Sequence, residues 1–221
     1  PSAQGLSGQL EFSERGGRIR LRGQQNTQLH LPEVFAQAWS LQQLEGDLSW
    51  QRQTAQHIAV EVHQLRFANS DLAGEVEGRY DYHSGRAGDI HLTGQLHRLQ
   101  ASQVARYLPL VLDSEVRQWL AQALPKGEAK AAQFRLIGDL DRFPFADGGG
   151  EFSVEGQAEG VTLAFDPAWP AIENIQGTLS FHNEKLTITA KQASVKGVQV
   201  HEVSAEIPDL AAVGGHLFLS G

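Results

Sequence analysis

The feature that most constrains this chain is an apolar–polar alternation of period two that recurs along most of its length. Leu6, Gly8, Leu10 and Phe12 alternate with Ser7, Gln9 and Glu11, and Leu44, Gly46, Leu48 and Trp50 with Glu45, Asp47 and Ser49. Ile58, Val60 and Val62 are interleaved with Ala59 and Glu61. Ile90 and Leu92 flank His91, and Phe152 and Val154 flank Ser153. Ile175, Gly177, Leu179 and Phe181 alternate with Gln176, Thr178 and Ser180, and Leu186, Ile188 and Ala190 with Thr187 and Thr189. Successive side chains of a strand point to opposite faces, so each run reads as a strand with one face to keep from water. Turn signals at Gly16-Gly17, Ser84-Gly85, Asp147-Gly148 and Asn183-Glu184 separate the runs. They predict short strands joined as antiparallel meanders.

Three of these strands share one order: apolar, any, Gly, any, Leu, any, aromatic. They are Leu6–Phe12, Leu44–Trp50 and Ile175–Phe181, with looser relatives at Leu92–Leu96 and Leu136–Leu140. Repeat units of this kind cannot bury their own face alone. Gly weakens a strand, so its recurrence points to a bend or a close approach at the same place in each repeat. One region departs from the pattern. Ser102–Tyr107 can form a helical turn that ends near Pro109, and Asp113 or Ser114 can cap a helix running to about Leu124. Its apolar residues Val116, Trp119, Leu120, Ala123 and Leu124 fall on one helical face, Glu115 suits the first turn, and Pro125 and Gly127 stop it. A weaker helical turn is expected over Pro32–Trp39. The organisation expected is two stretches of β-repeat, 1–100 and 128–221, joined by a helical plug or brace at 101–127.

Charge and motif content narrow the function. Lys plus Arg is 18 and Asp plus Glu is 26, a net charge of −8, so nucleic acid is not an expected partner. Arg15, Arg18, Arg20 and Arg22 come nearest to a basic cluster, and the last three share a strand face. There is no cysteine, hence no disulfide, thiolate metal site or cysteine nucleophile. His57 and His63, like His91 and His97, share a face but lie roughly 20 Å apart, too far to hold one metal ion. Asp139, Asp141, Asp147 and Glu151 surround a Gly-rich turn, but Phe143-Pro144-Phe145 interrupts any calcium-loop order. Gly148-Gly149-Gly150 lacks the Lys-Ser/Thr of a phosphate cradle and opens a strand instead. No catalytic residue, metal or cofactor is expected, and the chain does not read as an enzyme. It begins at Pro1, shows no signal peptide and has no apolar run near the ~18 residues of a membrane helix. It reads as a monomeric segment whose targeting information lies elsewhere.

The apolar faces admit two readings. Two sheets could pack as a closed β-sandwich, a structural or protein-interaction spacer of an envelope protein. Alternatively, one curled sheet could keep its concave side open for acyl chains. Alternation alone does not separate them.

A resemblance bears on that choice. Tyr107-Leu108-Pro109 is followed by Trp119-Leu120, then Gly127, then Gly138 with Phe143-Pro144-Phe145 and Gly150-Glu151-Phe152. Phe165, Trp169-Pro170, Leu179-Ser180-Phe181 and Leu186-Thr187-Ile188 continue the series. This stretch resembles the middle of the large YhdP family, in the AsmA-like superfamily that also contains TamB. Leu31-Pro32-Glu33-Val34-Phe35 and Leu44–Trp50 fit the family more loosely. The resemblance implies a mainly β fold: a curled antiparallel repeating β-groove, a taco-like open sheet, with a short central helical segment. It implies a periplasmic segment of a protein anchored in the inner membrane. That protein would carry phospholipid between inner and outer membranes and so maintain the outer-membrane barrier. Phospholipid acyl chains are then the expected partner. The expected groove lining is Leu10, Phe12, Leu48, Trp50, Val60, Val62, Ile90, Leu92, Phe152, Val154, Leu179, Phe181, Leu186 and Ile188.

Overall fold

Every alternating run falls inside a strand, and the strands join into one sheet. The computed structural model describes residues 1–210 and the backbone of 218–220. The strands are β1 (Ser2–Ser13), β2 (Gly16–His30), β3 (Trp39–Leu41), β4 (Gln43–Arg52), β5 (His57–Ala68), β6 (Leu72–His83) and β7 (Asp89–Gln100). After the helix α1 (Ser114–Ala123) come β8 (Lys126–Asp139), β9 (Gly150–Leu163), β10 (Ile172–His182), β11 (Lys185–Val195), β12 (Val198–Ile207) and β13 (Phe218–Ser220). Neighbours pair in sequence order from β1 to β13, except that β3 adds to β2 beside β4. Every pairing is antiparallel. Among the described residues there is one sheet and no second one to make a sandwich. The open, mainly β architecture therefore holds, and the closed sandwich does not.

The strands are longer than the alternation suggests. β2 has 15 residues, and β8 and β9 have 14 each. Interior glycines and irregularities that read as breaks in sequence are bends within continuous strands. Register shifts interrupt the pairing at Gln4/Leu6, Asp47/Leu48, Val62/Leu65, Ala73/Gly74 and Lys130/Gln133. Asn26, Ala131 and Asn174 take positive φ of 66°, 49° and 53°. Bulges of this kind bend a strand and sharpen its twist, which is how a sheet of long strands curls.

The repeated glycine has a steric account. Large apolar residues sit across from glycine on the neighbouring strand: Leu21 faces both Gly8 and Gly46, and Trp50 faces Gly17. A Cβ on Gly17 would lie 2.5 Å from the Trp50 ring, so the indole lies over bare backbone.

The excursion between β7 and β8 leaves those two strands paired side by side, with Leu92 opposite Leu136. A 3-10 helix covers Ala101–Tyr107, and α1 follows with Asp113 as its cap, the carboxylate accepting from Glu115 N–H at 2.7 Å. The helical turn expected over Pro32–Trp39 is not a helix. Val34 and Phe35 N–H both donate to Leu31 O at 2.9 Å, and the chain then extends into β3. Trp39 is drawn out of any helix by pairing with Leu29 in the sheet, where its ring meets Tyr107 edge-on and tilts against Phe35.

Candidate functional site

Residues directly opposite one another in an antiparallel pair share a face, so the registers can be followed across the sheet. One row runs Leu10, Ile19, Leu48, Val62, Gly78, Leu92, Leu136, Phe152. The next runs Phe12, Gly17, Trp50, Val60, Tyr80, Ile90, Gly138, Gly150. Val154 lies opposite Phe181 and Phe181 opposite Leu186, while Leu179 lies opposite Ile188. All the residues singled out as lining thus lie on one unbroken apolar face from β1 to β11.

Their exposure is uneven. Phe12 is 76% exposed and Leu10 55%. Leu48, Trp50, Val60, Val62, Ile90, Leu92, Phe152, Val154, Leu179 and Phe181 are half-buried. Leu186 and Ile188 are buried. Val116, Leu120 and Ala123 of α1 belong to one core cluster with Val161, Ile175, Leu186, Ile188, Ala190 and Ala205 of β9–β12, with Trp119 and Leu179 packed against it. Trp119 Nε1 donates to Phe165 O at 3.0 Å, and Ala164 N–H to Ala123 O at 2.8 Å, so the chain just after β9 is tied to the helix. The face is exposed on β1 and buried within this cluster on β11.

A polar clamp holds the excursion on the sheet. The buried Asn69 amide donates to Ser40 O at 3.1 Å and to the Tyr107 hydroxyl at 2.9 Å, while its carbonyl oxygen accepts from Asp71 and Leu72 N–H. Asp71 accepts from Arg106 at 3.1 Å and from Tyr107 at 3.2 Å. Burial raises the Tyr107 hydroxyl above its ordinary range, so it stays a neutral donor here.

The opposite face is a ladder of matched charges. Arg18 bonds Asp47 through two nitrogens at 2.7 and 2.6 Å, Arg22 reaches Glu45, Arg66 reaches Glu75, and Arg79 reaches Glu61 and Asp81. The arginines of β2 are therefore already neutralised. So are the acids around the Gly-rich turn: Arg86 holds Asp139 and Asp141, Arg142 holds Asp147, and Arg135 holds Glu151. No group of three or more potential metal ligands occurs among the described residues. Asp81 also accepts from His57 at 2.8 Å, and His57 stacks on His83. The Arg79 hydrogen bonds, with His57 second, hold the Asp81 carboxyl at about 2. A carboxyl depressed on folding stabilises the fold above its unfolded pKa, and that contribution fades as pH falls from about 4 toward 2. In a carbon-detected titration Asp81 should turn over near pH 2 in the wild type and move upward in Arg79→Gln. A normal Asp81 titration in the wild type would refute the assignment.

The apolar face is wider than the residues named from the sequence. Ile19, Leu21, Leu65, Val76, Tyr80, Phe134 and Leu136 also belong to it by register. Ile19 and Leu21 were legible, because they alternate with Arg18, Arg20 and Arg22. Leu65 was not, because the shift at Val62/Leu65 breaks the period just before it.

No helix among the described residues is long and apolar enough to cross a membrane. In comparisons with known proteins, the model of the family described as YhdP protein matches residues 1–221. The intermembrane phospholipid transporter YhdP of Escherichia coli (strain K12) is 31% identical over 109 residues, covering 49% of this chain and 9% of the relative. No solved structure matches. The family match runs through the long strands, the helical excursion and the Phe143-Pro144-Phe145 block alike, and on that match over its whole length the chain belongs to the YhdP family.

Proposed function

We propose that this chain is a periplasmic segment of an intermembrane lipid conduit, in which phospholipid acyl chains lie on the apolar face of β1–β11 while headgroups stay wet. The observation that carries the reading is the continuity of that face together with its exposure at the β1 end. A contiguous apolar surface that is only half-buried over most of its rows is of the kind that binds something apolar. Each methylene sheltered is worth about 0.8 kcal/mol, so an acyl chain gains from a long dry track and needs no enclosed pocket. Repeated similar contacts also let a chain slide without a deep minimum. The relative's name supports phospholipid as cargo. In this reading the two membranes are reached by further length of the kind the E. coli protein has, and the segment acts by sheltering rather than by catalysis.

The test is lipid occupancy of the 221-residue chain. Native mass spectrometry should show co-purifying phospholipid on the wild type. Leu48→Asp, in the half-buried centre of the open face, should lower occupancy about tenfold, the equivalent of ~1.4 kcal/mol of lost binding. A carboxylate there meets water in the lipid-free state, so the melting temperature should hardly change. Unchanged occupancy in Leu48→Asp would sink the proposal.

A further inference from the structure

The open face ends in a lip where its chemistry changes from apolar to cationic. Alternate residues of β4 share a face, so Arg52 follows Trp50 on the apolar side. Arg52 is registered opposite Ile58, and Ile58 opposite Tyr82. Arg52 N–H donates to Arg15 O at 2.8 Å, which brings the β1–β2 turn against the same spot. Both arginines are exposed, and neither has an ion-pair partner among the described residues. This sets them apart from the arginines on the polar face of the neighbouring strands β2, β5 and β6, which are matched to carboxylates. Phe12, 76% exposed, and Tyr82, 41% exposed, belong to the same lip. Rings with an apolar body, one of them carrying a polar tip, suit the boundary between hydrocarbon and water.

In a chain of net charge −8, unmatched guanidinium beside an exposed apolar face fits a ligand that is anionic at one end and apolar along its length. The guanidinium fork also matches the paired oxygens of a phosphate better than an ammonium does. We propose that Arg52, with Arg15 beside it, holds the phosphodiester of a diacyl phospholipid whose acyl chains lie on the rows below. This rests on the lipid-sheltering reading above and adds a headgroup subsite to it.

The experiment titrates the 221-residue chain with a short-chain phosphatidylglycerol and with the diacylglycerol of the same acyl chains. Wild type is compared with Arg52→Gln and with Arg15→Gln/Arg52→Gln, and inorganic phosphate serves as a competitor. The wild type should prefer phosphatidylglycerol about tenfold, as a charge-assisted bidentate contact supplies. Arg52→Gln should lose most of that preference and the double variant all of it, with diacylglycerol binding unchanged. Equal affinity for the two lipids in the wild type would overturn the subsite, as would a preference that survives both substitutions. Inorganic phosphate displacing the lipid at equal concentration would overturn it too, by showing a free-anion site. If neither lipid binds the wild type, it is the lipid-sheltering reading that fails, and the subsite falls with it.

Discussion

Phe145→Ala should lower the unfolding free energy of this chain by about 3–5 kcal/mol, the range for emptying a well-packed aromatic site. Phe145 is 0% exposed, although it lies in a loop. Its ring rests on Gly138 and Gly150, which face each other across β8 and β9. A Cβ on Gly150 would lie 2.5 Å from the ring, and one on Gly138 2.9 Å from it. Gly138 also has a φ of +138°, which a side chain would strain. Phe143 meets Phe145 edge-on at 5.5 Å and tilts against Phe152 at 5.6 Å. The Asn183 amide donates to Phe145 O at 3.4 Å, and its carbonyl oxygen accepts from Phe152 N–H at 2.8 Å. The loop thus seals the hairpin end of β8–β10. Gly150→Ala overfills the same site from the other side and should cost roughly 1–3 kcal/mol. Urea unfolding of both variants is the measurement. A loss under about 1 kcal/mol for Phe145→Ala would mean the loop peels away without disturbing the sheet.

The second large effect is expected at α1. Leu120→Ala should cost about 2–5 kcal/mol and should also uncover Leu186 and Ile188. The two consequences have separate readouts, a lower urea midpoint and stronger binding of a hydrophobic dye under native conditions. Both follow from the cluster that joins Val116, Leu120 and Ala123 to residues of β9–β12, Leu186 and Ile188 among them. Destabilisation without dye binding would show that the sheet closes over the vacancy and that α1 is not what keeps this end covered. The same packing separates two otherwise parallel substitutions. Leu48→Asp places a charge on the open part of the face, whereas Leu179→Asp places it against the core cluster and should destabilise the fold.

What the helix does for the proposed conduit follows from its position. Acyl chains entering from the β1 side meet half-buried rows as far as β10 and the buried Leu186 and Ile188 on β11. We propose that α1 serves as a plug or brace through the cluster it shares with β9–β12, held in place by the Asn69–Asp71–Arg106–Tyr107 clamp.

The sequence alone was enough to separate the two faces. Alternation is a local property with a period of two, and one face of Leu, Val, Ile and aromatic residues opposite another of Arg, Asp and Glu leaves no doubt which side avoids water. The capped helix was equally legible, because Asp113, the i, i+3, i+4 spacing of Val116, Trp119 and Leu120, and the stop at Pro125 are all local signals. The tertiary structure alone decided what covers the face. Whether Leu186 meets lipid, a second sheet or a helix depends on contacts between residues far apart in the chain, and period two carries no information about them. The register likewise came only from cross-strand packing, which sets Trp50 over Gly17 and Phe145 between Gly138 and Gly150. So did the placing of α1, whose apolar side joins the cluster that holds Ile175, Ile188 and Ala205.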